Sequence, residues 1–117
     1  MWEERYGYSH AVAVGEHVHV GGTALQMPGD ADPPQGAYEQ ARHCLEIVTT
    51  ALAEAGATPA DVVRTRVFVT DRTHIAEVMR AHGETFGDAR PACTGIVVDL
   101  LDPRWLVEIE ADAILSP

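Results

Sequence analysis

Between Trp105 and Leu115 the chain alternates strictly. Trp105, Val107, Ile109, Ala111 and Ala113 fall on one side, and Leu106, Glu108, Glu110, Asp112 and Ile114 on the other. Successive side chains of a strand point to opposite faces, so this run reads as a strand with one wholly apolar face and one mixed face. Asp61 to Thr70 is built alike, with Val63, Thr65, Val67 and Val69 opposed to Arg64, Arg66 and Phe68. Two such strands require a cover for their apolar faces, and the remaining sequence has to supply it.

The cover is legible at helical spacing. Ala37, Ala41, Cys44, Leu45, Val48, Ala51, Leu52 and Ala55 recur every three or four residues, one apolar stripe that Gly56 ends. Ile75, Val78, Met79, His82 and Phe86 form a second stripe, with Asp71 or Thr73 placed to cap it. Thr58-Pro59-Ala60-Asp61 predicts a capped single turn with proline in the first helical position. Tyr8–Val14 and His17–Gly22 are short β-rich runs about Gly15-Glu16, which predicts a hairpin ended by Gly21-Gly22. Gln26–Gln35, with three prolines, is a surface loop, and Ala92–Leu100 and Trp105–Leu115 are the last two strands. The order β-β-α-β-α-β-β predicts an α+β domain over residues 1–117, its sheet covered by two helices on one face.

The mixed strand faces admit two readings. Arg64, Arg66, Glu108 and Glu110 beside Phe68, Leu106 and Ile114 suit a subunit interface with a ligand cleft. They also suit a solvated face with cross-strand ion pairs, each contributing about 0–1 kcal/mol.

Composition narrows the function classes. Eight basic residues stand against 18 acidic ones, a formal net charge of −10, which argues against a nucleic-acid backbone binder. No apolar run is long enough for a membrane helix. Met1-Trp2-Glu3-Glu4 shows no secretory signal. Cys44 and Cys93 form no CxxC pair, as expected of free thiols in a cytoplasmic protein. His17 and His19 share a strand face but lack third and fourth ligands, so no metal is expected. Gly21-Gly22 lacks phosphate-loop spacing, and neither a serine triad nor a cofactor motif is legible.

Several segments together resemble the RidA/YjgF family. They are Tyr8 ahead of the hairpin, Val20-Gly21-Gly22-Thr23, Ala55-Gly56-Ala57-Thr58, Asp61–Asp71, Arg90-Pro91-Ala92 and Val107-Glu108-Ile109-Glu110-Ala111. The resemblance spans nearly the whole chain. It implies a chorismate-mutase-like subunit in a homotrimer, with the sheets facing an inner barrel and three clefts between subunits. In the best-known branch, enamine and imine intermediates are hydrolysed to a 2-oxo acid and ammonia.

An arginine directly after Pro-Ala grips the substrate carboxylate in that branch, a role its planar guanidinium suits. Cys93 stands there in this sequence. A family asparagine aligns with Met79, and a family cysteine with Gly95. Tyr8, the Gly22 backbone, Thr94 and Glu108 remain. Glu108 is the candidate for activating water and Tyr8 for donating a hydrogen bond to the ligand. Cys93, Thr94 and Met79 are candidate lining residues, and Arg66 or Arg90 could supply the missing carboxylate clamp. For Glu108 the structural alternative is an ion pair with Arg64 or Arg66. For Cys93 the alternatives are a nucleophile activated by Arg90 or His10, or an unreactive lining thiol.

The expected ligand is a small carbonyl, imine or enamine metabolite other than the simple 2-imino acids. Hydrolysis or tautomerisation without a cofactor is the expected chemistry. A non-catalytic metabolite-binding trimer is the alternative, and a ribonuclease the least favoured.

Overall fold

The computed structural model describes residues 2–116. Five strands form one sheet: β1 (Ala11–Val14), β2 (His17–Thr23), β3 (Val62–Val69), β4 (Ala92–Val97) and β5 (Val107–Ile114). Their order is β1-β2-β5-β3-β4, with only β3 and β4 parallel. Two long helices, α2 (Ala37–Glu54) and α3 (Ile75–Phe86), cover one face, and a short helix, α1 (Trp2–Tyr6), precedes β1. This is the expected α+β arrangement.

The core lies between the helices and the apolar strand faces. Val18, Val20, Val67, Val69, Val107, Ile109, Ala111 and Ala113 meet Ala41, Cys44, Leu45, Val48 and Leu52 of α2, and Val78, Ala81 and Phe86 of α3. The helix stripes seat as the spacing predicts. Gly56 adopts φ +86° just past α2, and Thr58 and Asp61 form a reciprocal capping box around the Pro59 turn. Asp71 caps the turn before α3 by accepting from the Thr73 N–H at 2.8 Å.

Five local features differ from the sequence expectation. The α1 turn was not foreseen, because five residues are too few to show a helical period. The first strand begins at Ala11 rather than Tyr8, and β4 ends at Val97 rather than Leu100. Strand β2 continues through Gly21 and Gly22 to Thr23, because the register against β5 shifts between Val20 and Thr23. The glycines occupy a bulge instead of a strand end, the other setting in which strands accept glycine. A second irregularity, between Val62 and Arg64, buries Val62 and leaves Val63 46% exposed, reversing the expected placement of Val63. Among the described residues no helix is long and apolar enough to cross a membrane.

Candidate functional site

The β2 bulge sets up the site. Where Gly22 passes β5, the Glu108 carboxylate lies directly over its backbone. A Cβ at Gly22 would stand 2.5 Å from Glu108 Oε1 and 3.1 Å from its Cδ. Only glycine leaves room for the carboxylate there. Gly22, Glu108 and Tyr8 line one cavity of about 680 Å³, with Trp2, Leu101 and Trp105 as its apolar walls. Three residues separated by up to a hundred positions in sequence thus come together.

Glu108 makes no ion pair or side-chain hydrogen bond among the described residues. The arginine that could have paired with it, Arg66, instead donates to Asp112 Oδ2 at 3.1 Å and Glu110 Oε1 at 3.5 Å. Arg64 donates to Thr94 Oγ at 2.6 Å. Partial burial pushes the Glu108 carboxyl above the usual carboxylate range, and the like charge of Glu110 pushes it further. A half-buried carboxylate with no partner and a raised pKa suits a proton acceptor better than a structural ion-pair member.

A histidine also reaches this cavity. His10 Nε2 lies 2.7 Å from Thr23 Oγ, which itself donates to the Gly21 carbonyl at 2.9 Å. The His10–Thr23 bond ties the residue before β1 to the bulge and steadies the wall beside Glu108.

The other sequence candidates lie elsewhere. Arg66 is held by two carboxylates on the open face of the sheet, so it is engaged within the fold. Cys93 and Thr94 sit on opposite faces of β4: Cys93 is in register with Thr65 on the helix side, and Thr94 with Arg66 on the open side. Cys93 is exposed on this edge strand, and His10 lies at the opposite edge of the sheet. Arg90 is exposed in the turn before β4 at φ +49°, where its backbone N–H bonds Phe86 O at 2.9 Å. Met79 is partly buried against the core. The second thiol, Cys44, is fully buried and 3.8 Å from Val107 O. Burial foremost, and the Glu108 charge secondarily, push its pKa up to about 12, which keeps it a thiol.

Two residues that support the site escaped the sequence reading. Gln40 is buried, donates to Pro34 O at 2.7 Å and Arg104 O at 3.0 Å, and accepts from Leu106 N–H at 2.8 Å. It ties the loop that enters α2 to the segment around Trp105 that enters β5. Arg104 gathers Asp30, Asp32 and Asp102 within 3.0–3.4 Å. The signal for Gln40 was its place inside an otherwise apolar stripe; nothing local marked Arg104. Every basic residue of the chain is an arginine, so no lysine of this chain is available for a covalent Schiff base.

The profile described as Endoribonuclease L-PSP matches residues 3–115. The chain belongs to the RidA/YjgF family. The crystal structure of Rv2704 from Mycobacterium tuberculosis, of the YjgF/YER057c/UK114 family, has a TM-score of 0.86 and 42% identity. That match covers 97% of this chain and 92% of the other. An uncharacterized protein of Streptomyces coelicolor is 38% identical over 96% of this chain and 84% of its own length. Escherichia coli TdcF with bound serine has a TM-score of 0.83 at 28% identity, covering 93% of this chain and 88% of that one. In this chain Glu108, Tyr8 and Gly22 line one cavity, and Cys93, which follows Pro91-Ala92, lies outside it.

Proposed function

We propose that this protein is a RidA-like hydrolase acting on an imine, enamine or related carbonyl metabolite, with Glu108 as the base that activates water. The observation that carries the reading is the unpartnered, half-buried Glu108 carboxylate held over Gly22 in the same cavity as Tyr8. Glu108 takes a proton from water as the oxygen attacks the C=N carbon and returns it to the nitrogen, giving a carbinolamine; it then takes the hydroxyl proton and passes it to the nitrogen, so that the C=O bond forms as the C–N bond breaks and ammonia leaves. Tyr8 donates a hydrogen bond to the bound molecule. TdcF, a structural relative, was crystallised with serine, which supports a small-molecule ligand in this fold. The net charge of −10 weighs against RNA despite the family's description.

The cleft's own charges favour a substrate outside the simple 2-imino acids. Glu3, Asp102 and Glu108 line it and no arginine does. A cationic iminium is attracted there, whereas a carboxylate finds no guanidinium clamp among the described residues that line the cleft. The protein is further proposed to act in the cytoplasm as a homotrimer whose second copy closes the cleft.

Ammonia release over a panel of imines, with and without an α-carboxylate, tests this. Glu108→Gln keeps shape and hydrogen bonding while removing the base, and turnover should fall by about 10²–10⁴-fold. Binding without turnover by the wild type would make the protein a metabolite-binding module instead. Turnover undiminished in Glu108→Gln would remove Glu108 from the chemistry.

A further inference from the structure

Both tryptophans of the chain and one of its three tyrosines line the Glu108 cavity. Trp105 stands half-buried on the segment that enters β5, Trp2 lies on α1 at 72% exposure, and Tyr8 follows α1. Leu101, 97% exposed, flanks the same opening. Neither Trp2 nor Leu101 belongs to the helix-covered core, so packing within the chain does not account for them. Exposed apolar side chains gathered at the mouth of a cavity mark a binding groove. The charges among them have one sign. Glu3 and Glu108 line the cavity without an ion pair among the described residues, while Asp102 is held by Arg104 at 3.0 Å. Arg5, close by in sequence, lies over the Tyr6 ring at 5.5 Å and is not part of the lining.

We propose that the Glu108 cleft takes the cationic iminium of a primary amine that carries an aryl or bulky alkyl group and no carboxylate, with Trp2, Tyr8 and Trp105 as its walls. The proposal rests on the hydrolase reading above and names its substrate class. Aromatic faces attract an organic cation through the negative face of the ring, tryptophan most strongly. The carboxylates of Glu3 and Glu108 add to that attraction and repel a ligand carboxylate. The apolar group covers Trp2 and Leu101, and about 680 Å³ leaves room for a ring beside the imine. One iminium and one water give one aldehyde or ketone and one ammonium ion, with no change of oxidation state. The reaction that supplies such a substrate is the two-electron oxidation of a primary amine, in which the flavin of an amine oxidase takes a hydride from carbon and nitrogen loses a proton.

Isothermal titration with phenylethylammonium and phenylacetate, stable ions with the same ring and opposite charge, reads the ligand class without turnover. Wild type is expected to bind the cation about tenfold or more tightly than the anion. Trp2→Leu and Trp105→Leu, which stay apolar but lose the ring, should each weaken the cation about threefold to thirtyfold. Should Trp105→Leu not fold, Trp2→Leu carries the comparison, since α1 buries no residue. Turnover is then followed as ammonia release from imines generated in place by flavin oxidases, with catalase present. Phenylethylamine and phenylalanine supply imines that differ only in the α-carboxylate, and the first should be hydrolysed about tenfold faster or more. Preferred binding of the cation with no catalysed hydrolysis of either imine supports the ligand class and removes the hydrolase reading. Faster hydrolysis of the phenylalanine imine keeps the hydrolase reading and overturns this proposal. Equal affinity for the two ions, no binding of the cation, or cation binding indifferent to both tryptophans overturns it as well.

Discussion

At Gly22 a methyl group would meet the tip of the Glu108 side chain, with Oε1 at 2.5 Å and Cδ at 3.1 Å. The obstructed atoms are the far end of a flexible side chain, so the carboxylate can swing away while the backbone stays. Gly22→Ala is therefore expected to fold with a melting temperature close to wild type and to lose most of its turnover. A large fall in melting temperature would show instead that the bulge itself requires glycine. At this scale the sequence was partly readable. Parity put Glu108 on the mixed face of β5 together with Glu110, and the family resemblance singled it out along with Gly22, a glycine expected at the end of the hairpin. That one lies on top of the other depends on the bulge between Val20 and Thr23, a two-residue irregularity with no pattern of its own. Arg66 illustrates the converse: parity put it on the right face, but only its register against Glu110 and its ion pair with the neighbouring Asp112 show that it is already paired.

Elements were more legible than contacts because each helix had to bury one stripe. In α3 that stripe includes His82, 6% exposed, which shares a hydrogen bond of 2.8 Å with Thr65 Oγ and packs its ring 5.0 Å from Phe86. Burial holds its pKa below the ordinary 6.5. The folded protein therefore keeps the imidazole neutral under conditions where the unfolded chain takes a proton. The associated stability is present above about pH 6.5 and is lost as the pH falls from there toward the folded-state pKa. Denaturant unfolding followed from above pH 7 down to about pH 5 should show this loss. His82→Gln, which can still bond Thr65, should flatten that part of the profile relative to wild type. Identical pH profiles for the two proteins would mean that His82 takes its proton without disturbing α3. The residue was visible in the helical stripe, but its hydroxyl partner was not, since Thr65 lies on a different element.

For the whole molecule, the open face of the sheet is the outstanding feature. It presents Val12 at 45%, Val14 at 67% and Ile114 at 41% exposure beside Ile96, with Phe68 partly buried among charged neighbours. Half-apolar faces of this kind are more readily explained by a covering partner than by solvent. The proposed partner is two further copies of the chain, which light scattering at micromolar concentration would report as three times the chain mass. Phe68 is the sharpest probe because it stands on β3 between Glu108 of β5 and Ile96 of β4. Its face is opposite the helices, so an aspartate there leaves the helix-covered core untouched. In a monomer Phe68→Asp is exposed to water and costs little. In a trimer it places an unpaired charge in an interface that excludes water, where the penalty is several kcal/mol. Phe68→Asp is thus expected to yield a smaller species that retains its helical circular dichroism, and to lose turnover if a second copy completes the Glu108 cleft. A wild-type mass equal to one chain would remove the trimer, and an unchanged mass in Phe68→Asp would move the interface to another face of the molecule.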